Sequence, residues 1–253
     1  MKGLRRHPLR VNGRLLRLAG IVAVALPDYL LRCAFCGSES RPSARARWLQ
    51  RHSRRVLRMF QFQPRTEGPV PTRGLLVSNH LGYLDVLVLS AITPAIFVSR
   101  RDVKYWPVFG LLASLAGTLY VDRERRAQVG QMNQEIEALL NLDALVVLFP
   151  EGTSSDGQSV LPFKSALLEP AVQPAHPLTI GAIRYSIEDG DTATDVCYWG
   201  DDTFFPHMLN LLSKRAVQAT VRFAPVRRAG EDRKQLALRL REEILKLKSG
   251  SKP

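Results

Sequence analysis

The chain has 253 residues, 45% of them hydrophobic, enough for one sizeable α/β domain or a domain plus a small appendage, and ordinary for a globular protein. Three cysteines in that length fit a reducing compartment and exclude a disulfide-built scaffold. The formal net charge is +13, and residues 1–60 carry fourteen Lys or Arg against two acids, Asp28 and Glu39, so the remaining residues are nearly neutral. A basic N-terminal segment on a neutral body suggests an electrostatic anchor on an anionic surface, either membrane lipid or nucleic acid.

An uncharged run from Leu18 to Pro27 comes first. Ten residues of helix reach only about 15 Å, half of a hydrocarbon core. Asp28 and Arg32 interrupt its continuation through Tyr29-Leu30-Leu31, so a single transmembrane span is not expected. Basic residues flank the run on both sides (Arg14 and Arg17, then Arg32, Arg41 and Arg45), a pattern that keeps both ends cytoplasmic. A secretory signal peptide is the rival reading, but no convincing small-residue cleavage site follows the run. The next segment, about Pro42 to Phe62, has helical periodicity. Trp48, Leu49, Val56, Met59 and Phe60 gather on one side, and Arg47, Arg51, Arg54, Arg55 and Arg58 on the other. This is the pattern of a helix lying in a headgroup plane, or of a surface helix packed on a domain with a solvated basic face. Residues 1–66 are therefore expected to anchor the chain and 67–253 to form its body.

Strand and helix patterns alternate from residue 74 onward. Strands are predicted at Gly74–Ser78, Ala95–Ser99, Gly117–Val121, Ala144–Phe149, Leu178–Arg184, Thr194–Trp199 and Val217–Phe223. Helices are predicted at Leu84–Ile92, after Pro107, at Arg125–Leu140 and at Glu231–Lys248. The order argues for an α/β sheet with helices on both faces and some antiparallel strands late in the chain.

Two motifs sit at strand ends. Asn79-His80-Leu81-Gly82-Tyr83-Leu84-Asp85 follows the first strand, and Phe149-Pro150-Glu151-Gly152-Thr153 follows an apolar strand downstream. A His whose ring is oriented by a nearby Asp is a general base. His-x4-Asp alone is a weak signal; the second motif strengthens it. Together with Gly117-Thr118-Leu119-Tyr120-Val121-Asp122-Arg123 and Pro177-Leu178-Thr179-Ile180, these blocks resemble, in order, those of the glycerolipid acyltransferases typified by 1-acyl-glycerol-3-phosphate acyltransferases. The resemblance covers about residues 74–185. It implies a mixed sheet flanked by helices, an N-terminal membrane-associated helical segment, and transfer of a fatty acyl group from coenzyme A or acyl carrier protein to a lysolipid hydroxyl.

In that chemistry His80 is expected to take the proton from the acceptor hydroxyl while Asp85 holds the ring. No Ser or Cys nucleophile is required, since a thioester is already activated, and no Gly-x-Ser-x-Gly elbow occurs. Asn79, Phe149, Pro150, Glu151, Gly152 and Thr153 are expected to contact substrate. Arg123, Arg100, Lys104 and Lys164 are candidate phosphate contacts. Many members of the family have Arg directly after Glu-Gly-Thr; here Ser154 stands there. The missing cation leaves room beside lysophosphatidic acid, the leading acceptor, for a lysolipid without glycerol phosphate, such as a lyso-ornithine lipid. Phe163-Lys164-Ser165 and Tyr198-Trp199-Gly200-Asp201 also resemble that branch.

Cys33-Ala34-Phe35-Cys36 lacks the further ligands that zinc needs, and His176 and His207 have no ligand-spaced partners. No metal, nucleotide cofactor or nucleic-acid fold signature is indicated. The expected setting is the cytoplasmic face of an anionic membrane. The competing readings are a non-enzymatic nucleic-acid binder and a thioester or lipid hydrolase.

Overall fold

The computed structural model describes residues 7–62, 64–121, 126–173 and 175–250. Seven strands among them form one sheet in the order β1-β7-β6-β2-β5-β3-β4. The strands are β1 (Arg65–Glu67), β2 (Gly74–Ser78), β3 (Ile96–Arg100), β4 (Leu119–Val121), β5 (Leu145–Leu148), β6 (Leu178–Ile187) and β7 (Val217–Pro225). All neighbours are parallel except β6 and β7, which pair antiparallel. This is the expected late antiparallel addition to a parallel centre. β2 and β5 are buried along their whole length, so their continuous apolar runs face helices on both sides.

One face of the sheet is covered by α3 (Leu84–Ile92), α8 (Phe204–Ser213) and the N-terminal helices α1 (Pro8–Arg32) and α2 (Arg41–Met59). Val11, Leu57, Phe60, Val88, Leu89 and Leu211 share that core. The other face is covered by α5 (Arg126–Asn141) and α9 (Arg233–Ser249), through Met132, Ile136, Leu240 and Ile244. Two short helices complete the linkers near the site: α4 (Phe109–Leu115) after β3, and α6 (Glu169–Val172) before β6.

The segment predicted as a strand at Thr194–Trp199 is not one. Thr192–Asp195 forms a single helical turn, α7, because the Asp191 carboxylate caps the Thr194 N–H at 3.0 Å and Asp195 accepts from the Asp191 N–H. The chain then runs irregularly, and the Tyr198 N–H donates to the Leu81 carbonyl at 2.8 Å. The stretch thus joins the first motif instead of the sheet. The long α1, the edge strand β1 and α8 are additions that periodicity did not predict.

The N-terminal helices are tied to the body by charge as well as by packing. Arg14 is buried and donates to the carbonyls of Leu212, Lys214 and Arg215 at the end of α8, where carbonyls lack helical partners. Between α1 and α2, Asp28 accepts from Arg32, Arg51 and His52, and the Trp48 indole donates to the Ala25 carbonyl. Of the residues expected on the apolar side of α2, Trp48 is buried mainly against α1, and Met59 and Phe60 against the body, while Arg54, Arg55 and Arg58 are exposed. No described helix is long and apolar enough to cross a membrane.

Burial opposes ionisation of Asp28, but hydrogen bonds from Arg51, His52 and Arg32 outweigh it and hold its pKa at about 2. A carboxyl group with a depressed folded pKa stabilises the fold above its unfolded value of about 3.9, and that contribution is lost as pH falls toward the folded value. Asp28→Asn should therefore be less stable than the wild type near neutrality in urea denaturation. The gap should close between about pH 4 and pH 2; a gap that persists unchanged at the acid end would contradict the assignment.

Candidate active site

The two motifs meet because the strands that precede them are neighbours. β2 and β5 run parallel with Val77 opposite Leu148, so both chains leave the sheet at the same edge, side by side. Clefts at the carboxyl ends of parallel strands are where α/β sheets place their ligands. Beyond Ser78 the ladder to β6 is continued by a side chain. Asn79 accepts from the Ile183 N–H at 2.7 Å and donates to the Ile183 carbonyl at 3.1 Å. Asn79, expected at the substrate, is fully buried and holds the strand end.

His80 and Asp85 are brought together by the start of α3. The turn between them needs Gly82, whose φ is 146°; a Cβ there would lie 2.9 Å from the side chain of Tyr198. Asp85 is completely buried and accepts four hydrogen bonds. Oδ2 takes them from His80 Nδ1 at 2.7 Å, Leu81 N–H at 2.6 Å and Gly82 N–H at 3.0 Å. Oδ1 takes one from the Tyr185 hydroxyl at 2.6 Å. Burial first, and then the neighbouring Asp85, push the Tyr185 phenol well above its ordinary range, so it remains a hydrogen-bond donor. The His80 ring stacks on Phe149, with centroids 4.2 Å apart and planes at 17°. Its side chain keeps 22% of its surface exposed, and no described group hydrogen-bonds its Nε2. The arrangement is a ring clamped on one nitrogen and open on the other.

Glu151 does not face the cleft as expected. It is buried, with Oε1 accepting from the His80 N–H and Oε2 from the Leu161 N–H, each at 2.7 Å. Burial raises its pKa, against the opposing pull of those two N–H groups. It fastens the second motif to the first. Ser155 N–H adds a bond to the His80 carbonyl, and the Ser154 hydroxyl donates to the Tyr198 carbonyl. Gly152 has a φ of 79°, a left-handed backbone angle that favours glycine.

A groove of about 300 Å³ opens over His80. Phe149, Gly152, Thr153 and Arg100 line it, together with Ser154, Trp106, Tyr198 and Trp199. Arg100 is paired with Asp102 at 3.1 Å. Pro150 and Lys164 instead line a separate pocket of about 100 Å³, because the Pro150 carbonyl accepts from the Lys164 N–H and draws that loop to the other side of Phe149. Lys104 is exposed on a 3-10 turn (Arg101–Tyr105) and does not line the groove. Arg123 lies outside the described residues.

Behind the groove lies an apolar cavity of about 200 Å³, lined by residues of α1, α2, α3, α4 and α8. The two spaces share Tyr83, Val86, Val103, Trp106, Ala113 and Thr118. The Tyr83 hydroxyl is held at 2.9 Å by His207 Nδ1, whose Nε2 donates to the Cys197 carbonyl at 3.0 Å. Burial lowers the pKa of His207, which favours the neutral ring. Motif reading missed Tyr185 and the Trp106–Tyr198 wall. Tyr185 lies 100 residues from Asp85, one position past the predicted end of its strand, and nothing local marks its partner.

Asn79→Ala would leave the Ile183 N–H and carbonyl unpaired in the core. It should destabilise the protein by about 1–3 kcal/mol in chemical denaturation. A loss of activity with unchanged stability would contradict the role given to Asn79.

Comparison with known proteins agrees with this geometry. The Acyltransferase family profile matches residues 61–186. The chain is 37% identical over 208 residues to the lyso-ornithine lipid O-acyltransferase of Brucella abortus, covering 75% of this chain and 77% of that protein. It is 34% identical over 192 residues to the lyso-ornithine lipid O-acyltransferase of Rhizobium meliloti, covering 70% of this chain and 66% of that protein, just under two thirds of its length. It is 31% identical over 170 residues to the 1-acyl-sn-glycerol-3-phosphate acyltransferase of Neisseria gonorrhoeae, covering 67% and 66%. The crystal structure of the 1-acyl-sn-glycerophosphate acyltransferase of Thermotoga maritima shares the fold, with a TM-score of 0.69 over 98% of this chain and 95% of that one at 16% identity. With the paired strand-end motifs and the His80–Asp85 contact at their meeting point, these matches show that the chain belongs to the acyltransferase family and is an acyl-transfer enzyme.

Proposed function

We propose that the protein moves a fatty acyl chain from a coenzyme A or acyl carrier protein thioester to the free hydroxyl of a lysolipid at the cytoplasmic face of a membrane. The observation that carries this reading is His80, fixed through Nδ1 on Asp85, with its other nitrogen unengaged in a groove that adjoins an apolar cavity. Residues 1–66 would face the lipid and 67–253 carry the chemistry.

His80 Nε2 takes the proton of the acceptor hydroxyl as its oxygen attacks the thioester carbonyl carbon. The C–S bond then breaks, and the departing thiolate receives that proton from His80, leaving an ester and a free thiol. Asp85 favours the imidazolium that forms between the two steps, and Tyr185 and the Leu81 and Gly82 N–H groups keep its oxygens aimed. The apolar cavity suits a hydrocarbon chain, which would bring the carbonyl up to the ring.

Two acceptors fit the relatives: 1-acyl-sn-glycerol-3-phosphate, giving phosphatidic acid, and a lyso-ornithine lipid. The distribution of charge favours the second. Among the described groove residues Arg100 is the one cation, and it is paired with Asp102; Ser154 replaces the expected arginine and its hydroxyl is spent on Tyr198. Among the described residues a phosphomonoester would meet one cation there, and that one is already paired.

Purified protein offered both lysolipids and both thioesters, with products read by mass spectrometry, tests the reading. Diacyl product should form, preferentially from the lyso-ornithine acceptor; release of free fatty acid alone would identify a hydrolase instead. His80→Ala should lower the rate by about 10²–10⁴-fold with the fold intact, and a rate near wild type would refute the base assignment. Tyr185→Phe removes one hydrogen bond to a charged group and should lower kcat by about tenfold with KM little changed.

A further inference from the structure

The outer side of the N-terminal helix pair carries a groove that the acyl-transfer chemistry does not use. Arg17, Gly20, Ile21 and Val24 of α1 line it with Arg55, Arg58 and Met59 of α2, as a shallow and widely open depression. Its arginines differ from most others of these helices, Arg47 excepted. Arg10 and Arg14 are spent on the carbonyls at the end of α8, and Arg32 and Arg51 on Asp28. Arg41 is spent on the Cys36 carbonyl, Arg45 on the Tyr29 hydroxyl and Arg54 on the Ala91 carbonyl. Arg17, Arg55 and Arg58 are exposed, and no described carboxylate pairs with any of them; Arg55 makes one contact, 3.3 Å, to His52 Nδ1. Three guanidinium groups of like sign therefore surround one hollow, and no described carboxylate balances them.

The floor of the hollow is apolar, and it is open at Gly20, where an added Cβ would meet nothing within 4 Å. Ile21 and Met59 line this groove and also the inner apolar cavity, so they form a wall between the two. The exposed side chains of Leu9, Leu16, Val24 and Leu31 continue the apolar character along α1. An anion with a hydrocarbon body suits such a site better than a simple ion does. Guanidinium groups match phosphate oxygens two at a time, while the apolar floor would receive the glycerol and upper chain carbons.

We infer that the groove of Arg17, Arg55 and Arg58 binds the phosphate of an anionic phospholipid. The inference rests on the reading that α1 and α2 lie against a lipid surface, and it goes beyond that reading by naming a defined headgroup seat in place of diffuse charge. A bound lipid would sit on the far side of the Ile21–Met59 wall from the cavity that adjoins His80.

The test is sedimentation of the full chain with phosphatidylcholine vesicles, and with equimolar phosphatidylcholine and phosphatidylglycerol vesicles. R17Q/R55Q/R58Q should lose about 100-fold in affinity for the anionic vesicles. R47Q/R215Q/K234Q, an equal change of charge at exposed positions outside the groove, should lose far less. Gly20→Leu keeps every charge but fills the floor, and should also weaken anionic binding; circular dichroism and the thermal midpoint confirm that each variant is folded. Millimolar inorganic phosphate separates the sources: displacement means that free phosphate suffices, and no displacement means that the seat needs the lipid. Equal weakening in the two triple variants, or an unaffected Gly20→Leu, would overturn the defined site. So would tighter binding of wild type to a DNA duplex than to the anionic vesicles. A wild type that binds neither vesicle would instead remove the membrane reading on which the inference stands, while leaving the mass-spectrometric test of acyl transfer separate.

Discussion

One buried carboxylate organises the site. Asp85 has no contact with water, and each of its oxygens is held by donors from a different part of the chain: the ring of His80, the backbone of Leu81 and Gly82, and the phenol of Tyr185 on β6. A charge in that position is tolerated only because it is fully hydrogen-bonded. Its acceptors in turn fix the turn after β2, the start of α3 and the direction of the imidazole. Loosening any one of these donors would loosen the others, since a half-satisfied buried network is the costly state.

The second motif supports the first more than it faces the substrate. Glu151 spends both oxygens on backbone N–H groups, one of them that of His80, and Ser154 and Ser155 bind the loops around Leu81 and Tyr198. Phe149 supplies the flat surface on which the ring rests. What remains open to a ligand is a groove walled largely by aromatic side chains, merging with an apolar cavity that the N-terminal helices close. Those helices therefore have two jobs in one packing. Their inner faces complete the cavity through Leu18, Trp48 and Val56, and their outer faces carry arginines that the body does not neutralise.

Much of the architecture was legible in the sequence. The apolar runs of β2 and β5 are long enough to be buried strands and short enough not to be helices, and the helical periodicity of α3, α5 and α9 is regular. The misreading at Thr194–Trp199 has a local cause: Asp191 and Asp195 form a capped turn whose exchange of hydrogen bonds overrides the β-forming Val196, Tyr198 and Trp199. Asn79, Pro150, Glu151, Lys104 and Lys164 were assigned to substrate because they share motifs with His80 or carry charge nearby. Motif membership does not say which way a side chain points, and four of those five point away from the groove into neighbouring backbone or pockets, with Lys104 on the outer surface.

The sequence by itself determined the pairing of His80 with Asp85, because a five-residue separation across a tight glycine turn is a local matter. It also determined the asymmetry of charge, which is a sum over residues and needs no geometry. Only the tertiary structure decided that Tyr185 completes the support of Asp85, that the groove and the apolar cavity adjoin, and which arginines of the N-terminal helices remain unspent. Those three facts depend on contacts between segments far apart in the chain, and the pairing of strands and helices that creates them leaves no trace in the spacing of any single motif.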